Sequence, residues 1–531
     1  MRKMIYVGSL VLAMGLLVLS CGKDDGPDTP QVPAPNITGH NGSGAVGAPL
    51  IVNGSSFGTS ISDNTVTLNG TAVTLSEANA NKLTGTVPVG ATTGKIKVTT
   101  AGGTDTSEDD FEVTTGGTNA IILDKTSLEL FSLDTLDLPE ITNIGDFENQ
   151  EADWDSNNEN VLSITEEGSI VAHKSGLAEL TVTIGNHVAT CSVIVNPSIL
   201  VAGVENINGI DRAAFWKNGE VNYLSEGLSA AEAIAVDDGG NIYVTGFKRN
   251  EQDISVATLW INGEPHFLED GLSISYANSI YIDTAENSNN IYVVGYKVTD
   301  DMEGYATAML WEYGASPIEI PNNESMEEAK SVTADENGTI IVVGVESKDA
   351  KSKARLWKIP GNGIVLSEES ADEAYARDVI IDNKGEIMVV GSNRAGEFNS
   401  AKLWQVGGET TNIEGGDGSN ATAYSVFPKD NKLYAVGYEK GGNYYDATLW
   451  EIENGQTQST TDLTDNVSLA PHEAKSIFIL ENMAYVVGYR TFNGEKAMLW
   501  TIDLENGKSI DYQYLDSSNS AYSYANSVYV R

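Results

Sequence analysis

From residue 199 to residue 531 the apolar positions fall into three kinds of short strand, and each kind occurs seven times. The first centres on tryptophan, as in "ATLWING" and "AMLWTID", and carries Trp216, Trp260, Trp311, Trp357, Trp404, Trp450 and Trp500. The second ends on glycine, as in "IYVTGF" and "IYVVGY", and carries Gly203, Gly246, Gly295, Gly344, Gly391, Gly437 and Gly488. The third reads "AEAIAVD", "YANSIYID" or "EAKSVTAD", with a small residue at Ala231, Ala277, Ala329, Ala376, Ala423, Ala474 and Ala525. Asp/Asn/Gly turns join the third kind to the second, as in "TADENGTIIVVG", which predicts hairpins. Outside the N-terminus no long segment sustains the 3.6-residue period of a helix. The chain is expected to be all-β.

A fourth, weaker and more polar strand, such as "EPHFLED", completes each unit. Units of about 48 residues holding four strands predict a β-propeller, and the region divides into seven blades. An open solenoid would need polar capping repeats at both ends. Both ends here are ordinary apolar repeat, so a closed ring is expected. If the Ala-x-Ser strand is innermost, the glycine strand comes second, the tryptophan strand third and the polar strand outermost. The repeat that starts at Ile199 then lacks an inner strand of its own. The segment "YANSVYVR", residues 524–531, is expected to supply it and close the ring.

Two smaller regions precede the repeats. Residues 35–115 alternate short strands with Gly/Asn/Ser turns, predicting a β-sandwich. The stretches "VNGSSFG" (52–58), "VTLNGTAV" (66–73) and "VPVGATTGKIKV" (87–98), with Phe111, resemble IPT/TIG immunoglobulin-like domains. Gly54 and Gly58 suit tight turns around a core Phe57. After a linker at 114–119, residues 120–196 resemble the bacterial Ig-like group 2 domain, through "WDSNNENVLSI" (154–164) and "GSIVAHKSGLAELTVTIGN" (168–186). Trp154 is expected in that core, and Cys191 as a buried, inert thiol. Both domains are expected to be spacers. The seven-fold unit itself is similar to the extracellular HAF repeat family, which implies an extracellular repeat domain and little about chemistry.

Residues 1–20 read as a signal peptide: Arg2 and Lys3, an apolar run too short to span a membrane, then Ser20-Cys21. Val18-Leu19-Ser20-Cys21 resembles a bacterial lipobox, which implies lipidation of Cys21. Acidic residues just after it, in Gly22-Lys23-Asp24-Asp25, resemble the export signal of surface lipoproteins in Bacteroidetes. The expected location is the outer membrane, lipid-anchored and facing outward, with residues 21–34 as lipidated cysteine and tether. The formal charge of −44 argues against nucleic acid and against a peripheral grip on anionic lipid, so the lipid anchor is the expected membrane contact.

Little in the repeats points to catalysis. One tryptophan per blade at a fixed position predicts packing. The Asp/Asn/Gly turns lack the ligand spacing of a calcium loop. His266 and His472 occupy unrelated repeat positions, and no nucleophile elbow or phosphate loop occurs. No cofactor or metal is expected, and the propeller is expected to be non-catalytic. The position between the repeated Ala and Ser varies instead: Glu232, Asn278, Lys330, Arg377, Tyr424, Lys475 and Asn526. Tyr276, Tyr375 and Tyr524 precede the alanine in three blades. These ten residues are the candidate ligand-binding set, with Lys330, Arg377 and Lys475 suited to an anionic or hydroxyl-rich ligand near the channel mouth. The expected partner is an extracellular polysaccharide. A surface protein, or a polysaccharide substrate of a propeller-type lyase or glycosidase, is the alternative.

Overall fold

A computed structural model describes residues 32–531, except 115–119, 148–149, 285–289, 299–304, 322–324, 362, 369–370, 416–419, 442–443, 465–469, 492–493, 506–508 and 518. The signal peptide, Cys21, most of the tether and nearly all of the 114–119 linker lie outside the described residues. The described chain is all-β apart from two short 3-10 turns, and none of its helices is long and apolar enough to cross a membrane. It divides into two compact units: residues up to 127 with 139–155 and 179–192, and residues 128–138, 156–178 and 193–531.

In the first unit, Asn36–His40, Pro49–Ser55, Lys82–Thr86 and Leu75–Asn79 form one four-stranded sheet. Thr71–Val73, Thr65–Leu68, Ile96–Thr100 and Gly103–Thr106 form another. Alternation turns Leu50, Val52, Leu83, Val66, Leu68, Ile96 and Val98 inward onto Phe57 and Phe111, as period-2 patterning requires. Gly54 is needed for close approach rather than for a turn: a Cβ there would lie 2.3 Å from the Phe57 ring and 2.3 Å from the Asn36 carbonyl oxygen. Cys191 is fully buried, and burial pushes its thiol up to about 12, so it is inert as expected. The expectation for Trp154 is corrected. In Asp153–Ser156, an edge strand of its sheet, Trp154 shares a face with buried Ser156 but is itself only half-buried, and Phe147 is the buried aromatic nearby in sequence.

The second unit holds a three-stranded sheet (Thr135–Asp137, Ser169–Ala172, Leu162–Ile164) and seven four-stranded blades. The inner strands are Ser520–Val530 (blade 1), Ser229–Val236 (blade 2), Ser275–Ile282 (blade 3), Met326–Ala334 (blade 4), Glu373–Ile381 (blade 5), Ala421–Lys429 (blade 6) and His472–Leu480 (blade 7). In every blade the glycine strand pairs with the inner strand, the tryptophan strand follows, and the outer strand is short. Each inner strand adjoins the next, and Ser520–Val530 adjoins those of blades 2 and 7, so the ring is closed.

The closure is the one the repeat phase predicts. Ile199–Ile207 pairs antiparallel with Ser520–Val530, from Ile199 opposite Val530 to Ile207 opposite Ser520. Arg531 extends the clasp. Its carbonyl accepts from the Ser132 hydroxyl at 2.6 Å, and its guanidinium donates to the carbonyls of His173 (2.6 Å) and Asp238 (2.8 Å).

The tryptophans pack between blades. Trp260 of blade 2 lies among Leu200, Ala202 and Ala213 of blade 1, and Trp357 of blade 4 among Val294, Ala308 and Leu310 of blade 3. Trp216 of blade 1 lies against Val487, Ala497 and Leu499 of blade 7, which seals the last seam. All seven indoles are at most 2% exposed, and burying rings of this size dominates the seams.

Candidate functional site

The variable residue of each inner strand is a β-bulge. Pairing with the glycine strand shifts by one between Ala231 and Ala233, Ala277 and Ser279, Ala329 and Ser331, Ala376 and Asp378, Ala423 and Ser425, and Ala474 and Ser476. In blade 1 it shifts between Ala525 and Ser527. Glu232, Asn278, Lys330, Arg377, Tyr424, Lys475 and Asn526 are therefore the extra residues, without a cross-strand partner. The bulge explains the repeated glycine. A Cβ on Gly203, Gly246, Gly295, Gly344, Gly391, Gly437 or Gly488 would lie 1.9 Å from the carbonyl oxygen of the residue before the alanine.

The bulges form one ring around the axis. Asn526 donates to the Ala231 carbonyl at 3.0 Å and to the Glu232 carboxylate at 3.3 Å in the next blade, and Asn278 donates to the Ala329 carbonyl at 2.7 Å. The Lys475 ammonium lies 3.7 Å from the centre of the Tyr424 ring, and the Arg377 guanidinium lies 5.3 Å from those of Tyr375 and Tyr424. The charges of Lys330 in blade 4 and Lys475 in blade 7 both reach Glu232 in blade 2, across the channel. Beside this ring runs a hydrogen-bonded seam. The Asp378 carboxylate accepts from Ser331 (2.8 Å), Ser425 (2.9 Å) and the Val426 amide (3.0 Å), tying blades 4, 5 and 6.

The ring has two unlike arcs. Blades 1 to 3 present two amides and Glu232, whose carboxyl burial pushes up to about 7 against the pull of both lysines. Blades 4 to 7 present Lys330, Arg377, Tyr424 and Lys475. Lys330 pairs with Glu328 and Lys475 with Glu473, each at 2.6 Å. Burial and the nearby Arg377 charge lower Lys475, against the pull of Glu473. Burial and the Glu473 charge raise the Tyr424 and Tyr489 phenols, so both stay neutral at physiological pH.

Of the ten residues expected from the sequence, Tyr375, Arg377, Tyr424 and Lys475 meet directly, and Asn526 meets Glu232. Tyr489 links Lys475 to Tyr524, Tyr296 links Lys330 to Tyr276, and Asn278 bonds to the backbone of the next blade. The sequence reading missed their aromatic backing. Phe247, Tyr296, Tyr438 and Tyr489 directly follow the repeated glycines, and all four are half-buried. Phe247 and Tyr296 meet Tyr276 with ring centres 4.9 and 5.1 Å apart, and Tyr489 meets Tyr524 at 5.1 Å. The "VVGY" pattern carried that signal.

The turn acids serve the backbone. Asp335 accepts from the Thr339 and Asn337 amides at 2.8 and 3.0 Å, and Asp382 from those of Glu386 and Lys384, both at 2.9 Å. Among the described residues no group of three His, Cys, Asp or Glu side chains is arranged to hold a metal ion. His266 contacts Tyr313, whereas buried His472 sits against the Ala470 carbonyl, so the two play separate parts.

Residues 35–115 match the IPT/TIG domain. A search of curated proteins finds no match to the chain. Among solved structures, the chain is similar to an auxiliary nutrient binding protein from Bacteroides thetaiotaomicron. The two are 10% identical, with a TM-score of 0.24, over 92% of this chain and 99% of that one. It is also similar to the periplasmic gluconolactonase of Pseudomonas aeruginosa, at 10% identity and a TM-score of 0.41, over 63% and 99% of the two chains. A catalytically inactive virginiamycin B lyase from Staphylococcus aureus matches at 12% identity and a TM-score of 0.31, over 63% and 96%. Two of these three bear the names of enzymes. The expectation of a non-catalytic propeller is accordingly withdrawn, and the likeness assigns no residue a role.

Proposed function

We propose that the chain is an exported, lipid-anchored protein whose propeller binds an extracellular polysaccharide at the bulge ring. One observation carries the reading. Seven blades repeat their packing residues, while the single position freed from cross-strand pairing changes in nearly every blade. Half-buried faces of Tyr276, Tyr375, Tyr424 and Tyr524 stand there beside amides and charged groups. Sugars offer apolar C–H faces to such rings and hydroxyls to such polar groups. Cys21 as the lipidated residue, residues 21–34 as tether, the group 2 character of 120–196 and the HAF character of 199–531 belong to the same proposal. So does an outward-facing position on the outer membrane. The formal charge of −44 supports an extracellular ligand over nucleic acid.

Affinity electrophoresis of the full chain through gels containing neutral and acidic polysaccharides tests the reading. Retardation is expected for at least one glycan, and its loss in the Tyr375→Ala, Arg377→Ala double variant. Absence of retardation throughout, with a specific outer-membrane protein co-purifying instead, would replace the glycan with a protein partner. Assay of the same mixtures for new reducing ends or unsaturated products decides whether bound glycan is also cleaved.

A further inference from the structure

The three basic bulge residues are not equivalent. Lys330 and Lys475 each meet a carboxylate two residues earlier on the same strand, Glu328 and Glu473, at 2.6 Å. Arg377 has no such neighbour: the residue two places earlier is Tyr375, and Glu373 is engaged by Arg394. Among the described residues Arg377 makes no hydrogen bond and no ion pair. Its Nε is buried without a partner, while its terminal nitrogens remain solvent-accessible. The Tyr375 and Tyr424 rings, each centred 5.3 Å from the guanidinium, fix its position. Tyr424 also takes the Lys475 ammonium at 3.7 Å, and Lys475 continues to Tyr489 at 5.4 Å. From blade 5 to blade 7 the arc is thus an unbroken run of rings and cations with one open guanidinium fork.

A guanidinium held between aromatic faces and lacking a carboxylate keeps its paired N–H donors for a planar or tetrahedral oxyanion. In a chain with a formal charge of −44, an unpaired cation beside tyrosine faces is a selective feature rather than a general attraction. We infer that the bulge ring recognises an acidic sugar, with the oxyanion on the terminal nitrogens of Arg377 and the sugar ring against Tyr375 or Tyr424. This rests on the proposed glycan reading and narrows it to anionic glycans. The oxyanion is a uronate carboxylate or a sulfate ester, and both offer the two acceptor oxygens that the fork requires.

The test uses the full chain, affinity electrophoresis and three probes: polygalacturonate, a sulfated galactan and a neutral β-glucan. Wild-type protein is expected to be retarded by one or both acidic probes. Arg377→Gln is expected to weaken that retardation at least tenfold, and Arg377→Lys, which keeps charge without the fork, nearly as much. Lys330→Gln serves as the paired-cation comparison and is expected to change it less than threefold. Thermal melts of all three variants confirm folding. Polygalacturonate against sulfated galactan separates carboxylate from sulfate. Retardation by the neutral glucan alone, or acidic retardation untouched in a folded Arg377→Gln, overturns this inference and leaves the glycan reading standing. Retardation by none of the probes overturns both.

Discussion

The blade seams and the bulge ring, two layers of one propeller, are built to opposite rules. In the seams the same residues recur seven times: an indole at most 2% exposed, an alanine with no exposure and a glycine under a carbonyl. In the ring five residue types, in four chemical classes, are spread over seven blades. One backbone device produces both. The bulge pushes a carbonyl onto the facing strand, which forbids a Cβ there, and it frees its own extra side chain from pairing. Constancy in the seam is what the bulge demands, and variety in the ring is what it permits.

The largest effect should come from removing the seam's last member. Deletion of residues 524–531 leaves blade 1 without its inner strand and exposes two edges, so the propeller's melting temperature should fall by more than about 10 °C. An unchanged melt would mean that blade 1 is complete without Ser520–Val530. Next, Gly391→Ala sets a Cβ 1.9 Å from the Tyr375 carbonyl oxygen. Chemical denaturation should show a loss of about 2–4 kcal/mol. A loss under about 0.5 kcal/mol would divorce the glycine from the bulge.

A seam position that departs from its repeat gives a smaller, pH-dependent effect. Ser229, Ser275 and Ser523 each accept an amide of the preceding blade at 2.9 Å. Blade 4 has Glu327 there, fully buried, with one carboxyl oxygen unpartnered. Burial, with Glu346 nearby, pushes it from 4.5 up to about 7, against the pull of Arg355. A carboxyl whose pKa is raised on folding takes up a proton in the folded state, so its ionisation costs stability as pH climbs from about 4.5 through 7. Glu327→Gln should therefore exceed wild type by about 1–3 kcal/mol at pH 8 and match it near pH 5. Equal melts at both pH values would show Glu327 to be ionised without cost. The smallest effect belongs to the ring: Arg377→Gln should shift stability by less than about 1 kcal/mol, since no protein hydrogen bond is lost. A larger loss would move Arg377 from the ligand side of the comparison to the seam side.

Seven copies made the blade count, the strand order and the closing strand legible, because a position that recurs seven times reveals its role without coordinates. The bulge was written there too. Ala231 to Ile234, Ala277 to Ile280 and Ala376 to Val379 are spaced by three where a regular strand would space them by two, and that slip is the extra residue. The neutralised lysines were harder to see. Lys330 and Glu328 stand two apart, and whether such neighbours meet depends on how the bulge turns each side chain. Trp154 shows the opposite failure. A large aromatic in a single, unrepeated domain was assigned to a core; alternation in Asp153–Ser156 does turn it to the same face as buried Ser156, but the strand lies at the edge of its sheet and the indole is only half-buried.

The pairing of Ile199–Ile207 with Ser520–Val530 also sets a timetable. The first blade's glycine and tryptophan strands leave the ribosome early and wait for a partner made some seven repeats later. Blades 2 to 7 can each fold from contiguous chain, but blade 1 cannot, so the highest-order contact of the domain is also the last available. Until Ser520–Val530 is made, blade 1 of the nascent chain carries an open strand edge, the kind of surface that invites wrong pairing. A chain truncated near its C-terminus during synthesis would then be not a slightly shorter propeller but one in which no round of folding is ever finished.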